Sequence, residues 1–177
     1  GGVVFADRKS AMPQSGFAHE SAINRSIEWY TPPEIFTALG VEFDLDPCSP
    51  GPGRSFVPAR RHLTEADDGL ASNWGEDEFV FVNPPYGRAT GSWMRKLAEH
   101  NNGIGLVFSR TDTGWFQDVA HRARVVCFIS GRVRFFQGSL DVRGGTPGAG
   151  SLLIGFGDQA DAAIRGSGLG QLMTPTA

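Results

Sequence analysis

Lysine is almost missing from this chain. Lys9 and Lys96 are its only lysines among sixteen basic residues, and arginine supplies the rest. Nineteen acids bring the net charge to −3, which excludes a protein coated in positive charge. Cysteine is scarce as well. Cys48 and Cys127 lie in different segments with no metal-ligand spacing, so they predict buried thiols in a reducing cytoplasm rather than a disulfide framework or a zinc site. No apolar run approaches the roughly 20 residues of a membrane span. The start shows no basic, apolar, small-residue order of a signal peptide. A cytoplasmic protein with no membrane and no metal partner is therefore expected. The four histidines, His19, His62, His100 and His121, share no spacing and carry no metal or catalytic assignment.

Glycine, by contrast, is plentiful at 24 residues, which predicts a loop-rich domain. A chain of 177 residues is long enough for one domain with a sizeable core. The arginines cluster. Arg122, Arg124, Arg132, Arg134 and Arg143 face a single acid, Asp141, over one stretch. Such a face can grip phosphates. Solvation of an ordinary surface by arginine in place of lysine explains the cluster equally well.

Residues 1–26 show no sustained period and read as a flexible arm, and 158–177 reads as a poorly ordered tail. Between them, 27–157 reads as one domain of alternating strands and helices. "YTPPEIFTALG" is a short helix, with Thr31 as N-cap, Glu34 closing a capping box and Gly40 ending it. "VEFDLDP" and "EFVFVN" are strands, and "TGSWMRKLAEHNNG" is an amphipathic helix. "GIGLVFS" and "RVVCFIS" are strands buried on both faces, flanking the helix "TDTGWFQDVAHRA". "RVRFF" and "SLLIGF" have no helix between them and predict an antiparallel edge hairpin. The expected class is α/β, mostly parallel, with crossover helices. Trp74 and Trp93 are expected as core anchors.

In open sheets of this kind, ligands sit beyond the carboxyl ends of the strands. "DLDPCSPGPG" and "FVNPPYG" both end strands there with unusual chemistry. Two prolines stop the second strand and hold its backbone extended. The Asn83 side-chain oxygen and the Pro84 carbonyl then form two neighbouring acceptors. Such a pair can receive both N–H groups of a planar amine such as adenine N6, while Tyr86 stacks on the ring for about 1–3 kcal/mol. A plain proline turn is the bland alternative.

"NPPY" after an apolar strand resembles motif IV of S-adenosylmethionine-dependent amino-methyltransferases. Together with "EWYTPPEIF", "FDLDPCS", "LTEADDGLASNW", the following "SW" and "GRVRFF", it resembles the bacteriophage-type, Dam-like DNA N6-adenine methyltransferases. The likeness runs over nearly all of the chain from Trp29 to Phe156. It implies a Rossmann-like class I methyltransferase sheet, S-adenosylmethionine as cofactor and double-stranded DNA as partner. It implies catalytic roles for Asn83, Pro84, Pro85 and Tyr86. Tyr30, Thr31 and Pro32 match the segment beside the cofactor's methionine end, and Asp46, Pro47 and Cys48 the end of the first strand. There a carboxylate suits an ammonium. Asp67 or Asp68 matches the contact to the cofactor's adenine or ribose, and Asn83 also borders the cofactor.

The chain departs from the broader pattern in one place. A compact glycine-rich loop usually follows the first strand, and here "DPCSPGPG" delays its glycines with prolines. No stretch is long enough for a large target-recognition domain, so short loops must read DNA. Arg54, Arg60, Arg61, Arg88 and Arg143 are the candidates. Two other functions stay open: methylation of RNA or of a protein glutamine side chain, and a non-catalytic nucleic-acid-binding module.

Overall fold

The computed structural model describes residues 29–176, so the expected arm at 1–26 lies outside the described residues. The elements run β1 (Trp29–Tyr30), α1 (Pro33–Leu39), β2 (Phe43–Asp46), β3 (Ala59–His62), β4 (Val80–Val82), α2 (Ala89–His100), β5 (Gly103–Phe108), α3 (Gly114–Val119), β6 (Val125–Ile129), β7 (Phe136–Gln137), β8 (Ser151–Phe156), α4 (Asp158–Gly166) and β9 (Gly170–Met173). Short 3₁₀ turns lie at Glu65–Asp67 and Ala120–Arg122.

Seven strands form one mixed sheet in the order β3-β2-β4-β5-β8-β6-β9. β3, β2, β4 and β5 are mutually parallel. β8 is antiparallel to β5 on one side and to β6 on the other, and β9 is antiparallel to β6. β1 and β7 make a separate two-stranded antiparallel ribbon. Alternation along the strands divides the core between the two faces. Phe81 points to the face covered by α1 and α4, where it meets Phe36, Leu39, Ala160 and Ile164. Val80 and Val82 point to the other face, against Trp93, Met94 and Leu97 of α2. Trp74 is buried there too, stacked against Trp93 with centroids 6.3 Å apart, so both are core anchors.

Three expectations need correction. "SLLIGF" is not half of an edge hairpin. All six residues of β8 are buried, because a run with no polar alternation fits only an interior strand. "RVRFF" contributes just Phe136 to a strand, while Val133 and Phe135 are buried in the core. The segment from Asp158 is an ordered part of the domain. In α4, Ala160, Ala163 and Ile164 fall on one face and are buried, and Arg165 pairs with Asp161 one turn back at 2.7 Å. β9 then closes the sheet edge.

At α1 the cap differs. Pro32 occupies the N-cap with no side-chain bond, and Glu34 pairs with Arg143 instead of closing a capping box. Thr31 is buried, and its hydroxyl has no hydrogen-bond partner among the described residues. Gly40 ends the helix in the left-handed region at φ 64°, as expected.

Candidate active site

Because β2, β4 and β5 run parallel, their last residues, Asp46, Val82 and Phe108, share one rim. A cavity of about 750 Å³ opens there. Asp46, Pro47, Cys48, Asn83, Pro84, Pro85 and Tyr86 all line it, as do Tyr30 and Thr31 from the chain entering α1. The two unusual strand ends therefore meet.

Asn83 is half-buried, and its Nδ2 donates to the Trp29 carbonyl at 2.9 Å. A carbonyl can only accept, so this bond fixes which end of the amide faces Trp29. Oδ1 accepts no hydrogen bond among the described residues, and Asn83 lines the cavity. The prolines contribute no N–H, and the Pro84 carbonyl has no hydrogen bond among the described residues. The loop is pinned beyond them, where the Thr90 hydroxyl donates to the Pro85 carbonyl at 2.8 Å. Gly87 turns the chain at φ 103°, a conformation that favours glycine. Tyr86 is 42% exposed at the mouth and sits edge-on to Phe108, with centroids 4.9 Å apart.

Asp46 is 2% exposed. Its Oδ1 accepts from the Cys48 amide at 3.1 Å. His62 Nδ1 lies 3.8 Å from Oδ2, beyond a direct bond, and contacts the Ser49 hydroxyl at 2.9 Å instead. Burial pushes the Asp46 carboxyl up to about 7, and the Cys48 amide offsets only part of that. Burial also lowers the His62 pKa, so its ring resists becoming the countercharge. A buried carboxylate of this kind gains most from a cation arriving through the cavity.

The sequence left Asp67 and Asp68 as alternatives, and the structure separates their positions. Asp67 caps its own turn, accepting from the Thr64 amide at 2.8 Å and hydroxyl at 3.0 Å, which lowers its pKa. Asp68 lines the cavity. Its loop packs on the β2 turn so closely that a Cβ on Gly69 would lie 2.0 Å from the Pro47 carbonyl. Lys96 holds the same loop from α2, donating to the carbonyls of Gly69, Leu70 and Ser72 at 3.3, 2.7 and 2.5 Å. Pro32 is buried as the N-cap of α1 and does not line the cavity.

The five candidate arginines scatter. Arg54 and Arg88 are exposed, each next in sequence to a cavity residue, Ser55 and Gly87. Arg60 is tied to Asp44 and Glu78 at 3.1 and 3.2 Å, around a separate shallow hollow. Arg61 donates to the Trp74 carbonyl at 3.1 Å. Arg143 pairs with Glu34 and lies over the Phe136 ring. Several cavity residues, among them Ser49, Thr64, Glu65, Thr113 and Arg110, were not singled out by the sequence. Arg110 follows the end of β5 and donates to the Tyr86 hydroxyl at 2.9 Å. The strand-end rule that singled out the other two loops applied to "FSRTD" as well.

Among the described residues no group of three or more His, Cys, Asp or Glu side chains is placed to hold a metal, and no helix is long and apolar enough to cross a membrane. No curated protein and no solved structure matches the chain. A protein-family model does, over residues 21–160, which takes in the described part of the cavity rim from Trp29 onward. With that match spanning most of its length, the chain belongs to the DNA N-6-adenine-methyltransferase (Dam) family.

Proposed function

We propose that this protein transfers a methyl group from S-adenosylmethionine to adenine N6 in double-stranded DNA, on a Rossmann-like class I methyltransferase sheet. Family membership supports methylation of DNA adenine. The finer reading rests on one observation: the Asn83 amide is clamped by the Trp29 carbonyl, which leaves Oδ1 as an acceptor in the same cavity as Asp46 and Tyr86.

The residues present suit the cofactor. Asp46 is a buried carboxyl group, hydrogen-bonded to no cation among the described residues, and its ionised form suits an amino-acid ammonium. The Thr31 hydroxyl is buried, has no hydrogen-bond partner among the described residues, and belongs to a residue of the cavity wall. Asp68 stands farther along, where it can accept from ribose hydroxyls or an adenine amine. The volume of about 750 Å³ lies in the range of small-molecule sites. When bound, S-adenosylmethionine supplies a methyl group on an electrophilic sulfonium.

The chain's own work is alignment. The target adenine leaves the duplex stack to reach the cavity. Asn83 Oδ1 and the Pro84 carbonyl accept its two N6 hydrogens. That pulls the nitrogen lone pair out of conjugation with the ring and aims it away from both acceptors. Tyr86 offers its face to the base. Most of the acceleration is then the entropy saved by fixing two reactants in line. Arg54 and Arg88, exposed beside the mouth, are the loop cations suited to DNA phosphates.

Incubation with methyl-labelled S-adenosylmethionine tests the reading against its rivals. DNA, RNA and protein should be offered separately. Label in DNA alone supports it. Label in RNA or protein alone, or no binding of S-adenosylhomocysteine by calorimetry, overturns it.

A further inference from the structure

Arg110 stands two residues beyond the carboxyl end of β5, and its place is fixed by the backbone. Its amide donates to the Phe108 carbonyl at 2.7 Å, and its carbonyl accepts from the Thr113 hydroxyl, also at 2.7 Å. Its side chain lines the cavity mouth. Five other arginines, Arg60, Arg95, Arg124, Arg143 and Arg165, are in ion pairs, whereas no carboxylate pairs with Arg110 among the described residues. Its Nη2 instead donates to the Tyr86 phenol oxygen at 2.9 Å.

Tyr86 needs that hold. It sits on an exposed loop between Pro85 and Gly87, and among the described residues its one aromatic contact is the edge-on meeting with Phe108 at an interplanar angle of 73°. Phe108 is steadied in turn by Trp29 and Phe135, at 6.4 and 5.9 Å between centroids. At 42% exposure the ring keeps rotamer freedom about its first two side-chain torsions unless its hydroxyl is held. A guanidinium bound to the phenol oxygen removes that freedom before a base arrives, so less ordering entropy is lost on stacking.

We propose that Arg110 is a positioning residue for methyl transfer, acting through the Tyr86 hydroxyl to set the ring on which the extruded adenine stacks. The proposal rests on the adenine reading above. A guanidinium at this mouth is also suited to a DNA phosphate, and the test separates the two roles.

The chain has two tyrosines, Tyr30 and Tyr86, so ¹³C-labelled tyrosine gives two ring signals in the free protein. In R110M the Tyr86 signal should shift and average, while that of Tyr30 stays put. On genomic DNA free of N6-methyladenine, R110M and Y86F should each lower kcat by about tenfold, with KM for the cofactor unchanged. The double variant should be no slower than the worse single one. The salt dependence of KM for DNA should keep its slope. Multiplying losses, an unmoved Tyr86 signal, or a slope reduced by about 0.9, the weight of one phosphate contact, would overturn the proposal. If the wild-type protein methylates no DNA, the functional reading fails instead, and the tyrosine spectra still report whether Arg110 holds the ring.

Discussion

The Asn83 side-chain amide donates to the backbone carbonyl of Trp29, 54 positions earlier in the chain, across 2.9 Å. This bond joins the β4 strand end to the β1–β7 ribbon. It also removes the ambiguity between the two ends of the amide, since only the NH₂ end can face a carbonyl. Asn83→Asp places a carboxylate against that carbonyl, loses the donor and loses the neutral acceptor geometry. We expect Asn83→Ala and Asn83→Asp each to lower kcat by at least a hundredfold, while the Kd for S-adenosylhomocysteine changes by less than about threefold (calorimetry).

Asp46 gives the cavity a pH signature. Its carboxyl is raised by burial from 3.8 to about 7. An ammonium ligand needs the ionised form. Affinity for S-adenosylhomocysteine should fall roughly tenfold per pH unit below pH 7 and level off above it. Stability of the ligand-free protein should run the other way. A carboxyl whose folded pKa is raised favours the folded state while protonated, so that contribution is complete below about 4 and is lost as pH rises towards 7. Asp46→Asn should flatten both profiles, measured by calorimetry and by thermal melts from pH 5 to 8.

Lys96 shows why one lysine persists where arginine is the rule. Its ammonium meets three carbonyls, of Gly69, Leu70 and Ser72, and lies 4.8 Å from the centre of the Trp74 ring. A tetrahedral donor with three hydrogens fits three converging acceptors, and a flat guanidinium does not. Lys96→Met should destabilise the protein by about 1–3 kcal/mol and weaken S-adenosylhomocysteine binding through the Asp68 loop. Lys96→Arg should not restore either, by denaturant titration and calorimetry.

Gly69 carries the other half of that loop's placement. A methyl there would collide with the Pro47 carbonyl and the Trp93 ring edge, at 2.0 and 2.7 Å. Gly69→Ala must drive the Asp68 loop and the Asp46–Pro47 turn apart. We expect a loss of roughly 1–3 kcal/mol in stability and a larger proportional loss of cofactor affinity than of affinity for DNA, read by thermal melts and gel shift.

Much of this site is legible in the sequence. Alternation and proline stops placed "FDLDP" and "FVNPP" at strand ends, and the parallel-sheet rule put those ends on one rim, where Asp46 and Asn83 line the same cavity. Other features depend on contacts far apart in sequence. The hidden place of β8 follows from pairing with both β5 and β6, which no local pattern in "SLLIGF" encodes beyond its uniform burial. α4 was masked by composition, since Ala160 and Ala163 are too small to announce an apolar face. Thr31 looked like a cap because Thr-x-x-Glu is a local signal, but Arg143, 109 positions away, claims the Glu34 carboxylate. Arg60 looked available until its two acidic partners were in place.

The most direct measurement is nucleoside analysis of N6-methyladenine-free DNA after incubation with methyl-labelled S-adenosylmethionine and either wild-type protein or Asn83→Ala. The account predicts label in N6-methyladenine with wild type and none above background with the variant. Label in a methylated cytosine, or equal N6-methyladenine from both proteins, would contradict it.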